Sequence, residues 1–138
     1  MTPSPGEPPE LLAANAAFYE ALERGDLDAL DELWVSADDA MCVHPGLVPI
    51  RGRKAVLRSW AAILAGTPYL QFVLTDVVAD LHDDVGVISC TENLLSATEG
   101  MPETVFAGGR AVATNVFRRE DGAWRIWVHH ASPVQPED

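Results

Sequence analysis

The sequence predicts an α+β domain: three N-terminal helices followed by a long-stranded antiparallel sheet. Three observations predict it. Apolar residues recur at helical spacing up to about Leu64. From Tyr69 onward the period becomes two. Short turn-like links separate the later runs. Such links favour hairpins, because parallel neighbours need a crossover of roughly a dozen residues.

The helices come first. Residues 1–8 hold three prolines and read as a flexible leader. Pro9 and Glu10 suit a first helical turn, proline by its fixed φ and glutamate by the positive end of the dipole. Leu11, Asn15, Phe18 and Leu22 then share one face, and Gly25 is placed as the C-cap. Asp26 caps a second helix with Leu27, Leu30, Leu33 and Trp34 as its inner face. Ala40 to His44 is too brief for a helix and reads as a strand ending at Pro45-Gly46. A third helix carries Val56, Leu57, Trp60, Ile63 and Leu64, and Gly66 and Pro68 stop it.

The strands follow. Leu70, Phe72 and Leu74 alternate with Gln71, Val73 and Thr75; Val85, Val87 and Ser89 alternate with Ile88, Cys90 and Glu92. Two more runs cover about Phe106 to Arg119 and Trp124 to Ala131. Turns are expected at His82-Asp83-Asp84, Glu99-Gly100-Met101-Pro102 and Asp121-Gly122. Gly108-Gly109 reads as a bulge or kink.

Length and charge bound the function. At 138 residues there is room for one domain, expected over 9–134 with a tail at 135–138. Nine Lys and Arg face 21 Asp and Glu, a net charge of -12. That balance argues against nucleic acid and against an anionic membrane surface. Residues 7–39 carry ten acids against Arg24 alone, which reads as solvated helix faces or as a docking surface for a basic partner. Cys42 and Cys90 read as small buried hydrophobes in a reducing compartment, with a single disulfide left open. MTPSPGEPPE lacks the features of a signal peptide, and the uncharged run from Ser59 to Thr75 is broken by Gly66, Thr67 and Pro68. A cytoplasmic protein is expected.

Three stretches, FYEALERGDLDALDELWVSADDAMCVHP, PIRGRKAVLRSW and NVFRREDGAWRIWVHHASP, together resemble the SnoaL-like branch of the nuclear transport factor 2-like superfamily, which includes ketosteroid isomerases. The resemblance covers roughly residues 10–133. It implies a cone-shaped α+β barrel with the three helices in the concave face of a curved sheet, a pocket at the open end, and a homodimer formed across the sheet. No cofactor is expected, because proton transfer by side chains requires none. The family hosts many chemistries, so the site is argued residue by residue.

The resemblance places His44 where the isomerases have their proton-moving aspartate. Imidazole can serve as a general base there; a hydrogen-bonded strand-end histidine is the plainer reading. Asn115 falls at the oxyanion-binding acid, where an amide could hold a carbonyl oxygen, or where a strand Asn could simply be satisfied by backbone. Phe18, Trp34 and Trp60 match three pocket tyrosines. They keep the bulk without the hydroxyls, which argues against steroid isomerisation and leaves pocket wall or plain core. Tyr19, adjacent to Phe18, is turned by about 100° on the helix and does not simply replace them.

Alternation sends His129 and His130 to opposite faces. With Trp124, Ile126 and Val128 inward, His130 joins them as a second acid/base beside His44, as in the histidine-pair dehydratases of the superfamily. His129 then goes outward with Trp127, whose exposed ring would need a second subunit to cover it. Glu92 on an apolar strand is either a cavity acid or an interface group. No metal is expected, since two histidines lack a third ligand unless Glu92 or Asp76 supplies it. The expected partners are a small apolar molecule with a carbonyl or hydroxyl and a second copy of the chain. The expected chemistry is isomerisation, dehydration or cyclisation by proton transfer. A non-catalytic binding or dimerisation module is the alternative, and docking through the acidic helices is a third reading.

Overall fold

The computed structural model describes residues 9–97 and 107–135. The expected leader, the 99–102 turn and residues 136–138 lie outside these. Helix α1 spans Pro9–Arg24, α2 Leu27–Leu33 and α3 Arg53–Ala65. Strands are β1 Met41–Val43, β2 Ile50–Arg51, β3 Tyr69–His82, β4 Val85–Ala97, β5 Ala107–Glu120 and β6 Ala123–Pro133. They form one six-stranded sheet in the order β2-β1-β6-β5-β4-β3. The fold is α+β, and the curved sheet is not closed: β2 and β3 are its edges. None of the described helices is long and apolar enough to cross a membrane.

Long hairpins dominate, as the turn signals predict. β1 is an exception, running parallel to β6, with α3 and the β3–β5 meander between them in sequence. The helices pack on one sheet face. Leu11, Asn15, Phe18 and Leu22 of α1 are all buried, as their spacing predicts. Gly25 adopts φ 64 after α1, and Asp26 Oδ1 accepts from Ala29 N at 3.0 Å to cap α2. The α2 face is narrower than its spacing suggests. Leu30 is buried, Leu27 is 46% exposed, and Trp34 is the extended residue after the helix.

Register departs from simple alternation at two bulges. One lies in β3 between Thr75 and Val78, where Asp76 takes φ 54. The other lies in β6: Val116 pairs with Val128 but Phe117 with Ile126, leaving Trp127 as the extra residue. There Trp34 and Val35 run beside Ile126, with Val35 N donating to its carbonyl at 3.0 Å. Gly108 and Gly109, by contrast, pair in unbroken register with Leu95 and Leu94, so no bulge falls there. Trp127 is half-buried and makes its contacts within the chain. The Arg118 guanidinium lies 4.8 Å over its ring and its Nε1 donates to Asp39 O at 3.1 Å.

Gly86 shows how closely α1 sits on β4. A Cβ there would meet both Leu11 methyl carbons at 2.6 Å, and Leu11 is fully buried. Gly86→Ala is therefore expected to cost about 1–3 kcal/mol by overpacking. Gly109→Ala, whose Cβ meets nothing within 4 Å, should leave stability unchanged. Equilibrium urea denaturation of the two variants checks the contrast.

Candidate functional site

The site is built around a carboxamide. Asn115 on β5 is fully buried and cannot reach water, so its amide must bond within the protein. Its Nδ2 donates to Asn15 Oδ1 at 2.9 Å and to the Tyr19 hydroxyl at 3.1 Å. Both amide hydrogens are thereby used. The Tyr19 hydroxyl in turn donates to Glu92 Oε2 at 2.6 Å. Asn115 Oδ1 is left as an acceptor and meets His129 Nδ1 at 2.6 Å. His129 must then carry its proton on Nδ1, which leaves Nε2 as an unprotonated acceptor. The bonds all run in one sense: imidazole to amide, amide to phenol, phenol to carboxyl.

His44 follows β1 and is also buried. Ser59 Oγ spends its proton on Val56 O at 2.7 Å, so at 3.0 Å it accepts from His44 Nε2. His44 Nδ1 is the ring's acceptor. The His44 ring meets Trp60 edge-on at 4.7 Å, and the other side of the cluster sets Trp60 and His129 at 5.6 Å.

These groups border a cavity of about 140 Å³. His44, Glu92 and His129 are its titratable lining, and Trp60, Ile63, Leu70, Phe72 and Leu94 its apolar lining. A larger hollow of about 430 Å³, bordered by Val73, Asn93, Leu95 and Arg110, carries no histidine or carboxylate. The histidines and the buried carboxylate therefore meet at the smaller cavity.

Burial opposes charge on the cavity groups. It holds His129 down at about 3, with the neighbouring His44 and His130 acting in the same direction, and it lowers His44 as well. It raises Glu92, against the smaller opposing effect of the Tyr19 hydrogen bond. It also pushes the free thiol of Cys42 up to about 12, so that thiol is not a ready nucleophile.

Several expectations are corrected here. His129, not His130, faces inward: the Trp127 bulge reverses the alternation, and His130 is exposed. Asn115 does not present its amide to a ligand, because every hydrogen bond it offers is taken inside the core. Phe18 and Trp34 are core rather than cavity wall. Phe18 packs against Trp34, Trp60, Tyr19 and His129 at 5.1–6.1 Å between ring centres. His44, Trp60 and Glu92 do line the cavity, and Ile88, Cys90 and Glu92 share the inward face. Tyr19, which the resemblance gives no role, reaches Glu92 directly. Asn15, a polar residue within an otherwise apolar helix stripe, was the available signal for this network.

The sequence profile of the SnoaL-like domain matches residues 11–136. The chain belongs to the SnoaL-like domain family. Among solved structures, a candidate dehydratase of the nuclear transport factor 2-like family from Streptomyces avermitilis is 44% identical. It aligns over 92% of this chain and 96% of that one, with a TM-score of 0.86. A candidate calcium/calmodulin-dependent protein kinase type II association domain from Thiobacillus denitrificans is 35% identical over 94% and 100% of the two chains, with a TM-score of 0.78. The F-box protein SKIP8 of Arabidopsis thaliana is 23% identical over 128 residues, 93% of this SnoaL-like chain. The chain spans about half the length of that curated relative, 51%.

The two cavity shifts have opposite consequences for stability. Glu92 titrates above its ordinary 4.5 when folded, so unfolding releases its proton and stability falls as pH rises through that interval. His129 titrates near 3 instead of 6.5, so the unfolded chain takes up a proton first and stability falls as pH drops from 6.5 toward 3. Glu92→Gln removes the first effect alone. Its stability relative to wild type is expected to climb between pH 4 and pH 8 in urea denaturation. A flat difference would show that Glu92 is not held protonated.

Proposed function

We propose that this SnoaL-like protein is a cofactor-independent, proton-transferring enzyme acting on a compact apolar molecule, and that its reaction is elimination of water from a hydroxy-carbonyl compound. The observation that carries this reading is the placement of His129, Glu92 and His44 around one apolar cavity. The 44% identity to a candidate dehydratase supports it.

Burial favours the protonated form of Glu92, which is the acid of the proposed reaction. Its Oε2 accepts from Tyr19, so the carboxyl proton sits on Oε1. His129 offers Nε2 as base. In the reaction His129 takes the proton from the carbon beside the carbonyl. Electrons of that C–H bond form the new C=C bond. The C–O bond breaks, and Glu92 supplies the proton with which the hydroxyl leaves as water. The step creates an imidazolium and a carboxylate together, and each lowers the cost of the other in a low-dielectric cavity. His44 Nδ1 can accept from the substrate hydroxyl and orient it. The two proton carriers reset by exchange with water after product leaves.

A second reading is a non-catalytic association module, favoured by the 35% identity to a candidate association domain. The outer sheet face would serve it. Val73 is 56% and Val112 48% exposed there, beside Val78 and Leu95. A second copy of the chain covering this face is compatible with either reading. The finer fold expectation, a conical barrel open at the cavity end, is part of the proposal too.

Turnover is tested on a panel of β-hydroxy ketones, with loss of water followed by mass spectrometry. Glu92→Gln and His129→Gln are each expected to reduce turnover by about 10²–10⁴. Wild-type protein inert on the whole panel, or either variant at wild-type rate, removes the reading. For the outer face, Val112→Arg is expected to convert a dimer to a monomer in sedimentation equilibrium. A wild-type monomer would exclude the covered face.

A further inference from the structure

His44 Nε2 stands 3.0 Å from Ser59 Oγ, and that hydroxyl stands 2.7 Å from Val56 O. Two oxygens at 2.7 Å need a proton between them, and the carbonyl has none to give. The Ser59 proton therefore lies toward Val56 O, a bond from a serine back to the preceding turn of its own helix. Toward His44 the hydroxyl offers a lone pair. Nε2 is then the protonated ring nitrogen and Nδ1 the bare one.

The other described groups at this ring do not make that choice. Cys42 Sγ lies 3.7 Å from Nε2 and 4.0 Å from Nδ1, a weak partner that favours neither. Trp60 packs edge-on against the ring, with the two planes at 81°, which holds the plane and is indifferent to the tautomer. Burial disfavours the imidazolium, which would donate from both nitrogens. On the same cavity His129 is left with a bare Nε2, because Asn115 Oδ1 takes its Nδ1 proton. Both histidines are thus acceptors toward the cavity's contents, and the Glu92 carboxyl is the donor.

We infer that Ser59 is a positioning residue that holds His44 as a hydrogen-bond acceptor, so that the cavity selects a ligand hydroxyl over a carbonyl or ether oxygen at that point. A hydroxyl donates to Nδ1, whereas a carbonyl oxygen would set one lone pair against another. The ligand class is a compact alcohol, since about 140 Å³ matches a single six-membered ring. In a hydroxy-carbonyl molecule the hydroxyl is the group turned to His44. The inference rests on the proton-transfer reading for the cavity as the ligand's seat, and it requires no turnover.

Cyclohexanol and cyclohexanone, alike in size, are the probes. Calorimetric titration of the wild type is expected to favour the alcohol about fivefold, the effect of one hydrogen bond. Ser59→Ala should abolish the preference, and Ser59→Thr, which keeps the hydroxyl, should retain it. Nitrogen NMR of the His44 ring without ligand should show Nε2 protonated in the wild type and in Ser59→Thr, with protonation moving toward Nδ1 in Ser59→Ala. A merely structural serine would change the melting temperature and leave both the tautomer and the preference as they were. Equal binding of the two probes by the wild type, failure to bind either, or a tautomer or preference that survives Ser59→Ala overturns the inference. Wild-type His44 protonated on Nδ1 overturns it whether or not the alanine variant folds. An alcohol preference that follows Ser59, in a protein inert on hydroxy ketones, supports it and removes the proposed reaction. Dehydration by a wild type that shows no alcohol preference does the reverse.

Discussion

The buried amide of Asn115 decides what the neighbouring groups can do. A carboxamide with no access to water must place two donors and an acceptor inside the protein, or the core loses roughly 1–3 kcal/mol for each one left over. Asn15, Tyr19 and His129 meet that requirement from α1 and β6. Their bonds have a direction, and the direction fixes proton positions: Nδ1 of His129 is filled and its Nε2 is bare, while the Tyr19 hydroxyl points at Glu92. A buried amide thus sets the tautomer of His129 and, through Tyr19, the hydrogen bonding of Glu92, both of which border the cavity.

The cavity lies between α3 and the sheet: Trp60 and Ile63 stand on one side, and Leu70, Phe72 and Leu94 of β3 and β4 on the other. Phe18 backs Trp60 from the core, its ring edge to face at 5.8 Å. Desolvation in that hollow suppresses charge on His44, His129 and Glu92 alike. The outer surface is the reverse, strongly acidic and solvated, with pairs such as Arg118–Asp39 that contribute little stability in water.

The legible parts of the sequence were those where one periodicity holds over many residues. The α1 stripe, the Trp60 face of α3 and the Leu70-Phe72-Leu74 alternation all read correctly, because burial of one face imposes a fixed spacing. His44 and Glu92 could be picked out as polar groups where apolar ones were expected. Tyr19 could not. Its angle on the helix is right, but a long phenol can bond sideways to β4, and only the position of that strand reveals it.

The amino-acid sequence by itself determined the family, the α+β class and the buried stripe of α1, because hydrophobic spacing is a local property of each element. Tertiary structure alone decided which histidine enters the cavity. One extra residue at Trp127 lets the chain after Trp34 run beside Ile126, and every side chain of β6 beyond it changes face. Strand alternation carries no record of a bulge made to suit a partner elsewhere in the chain.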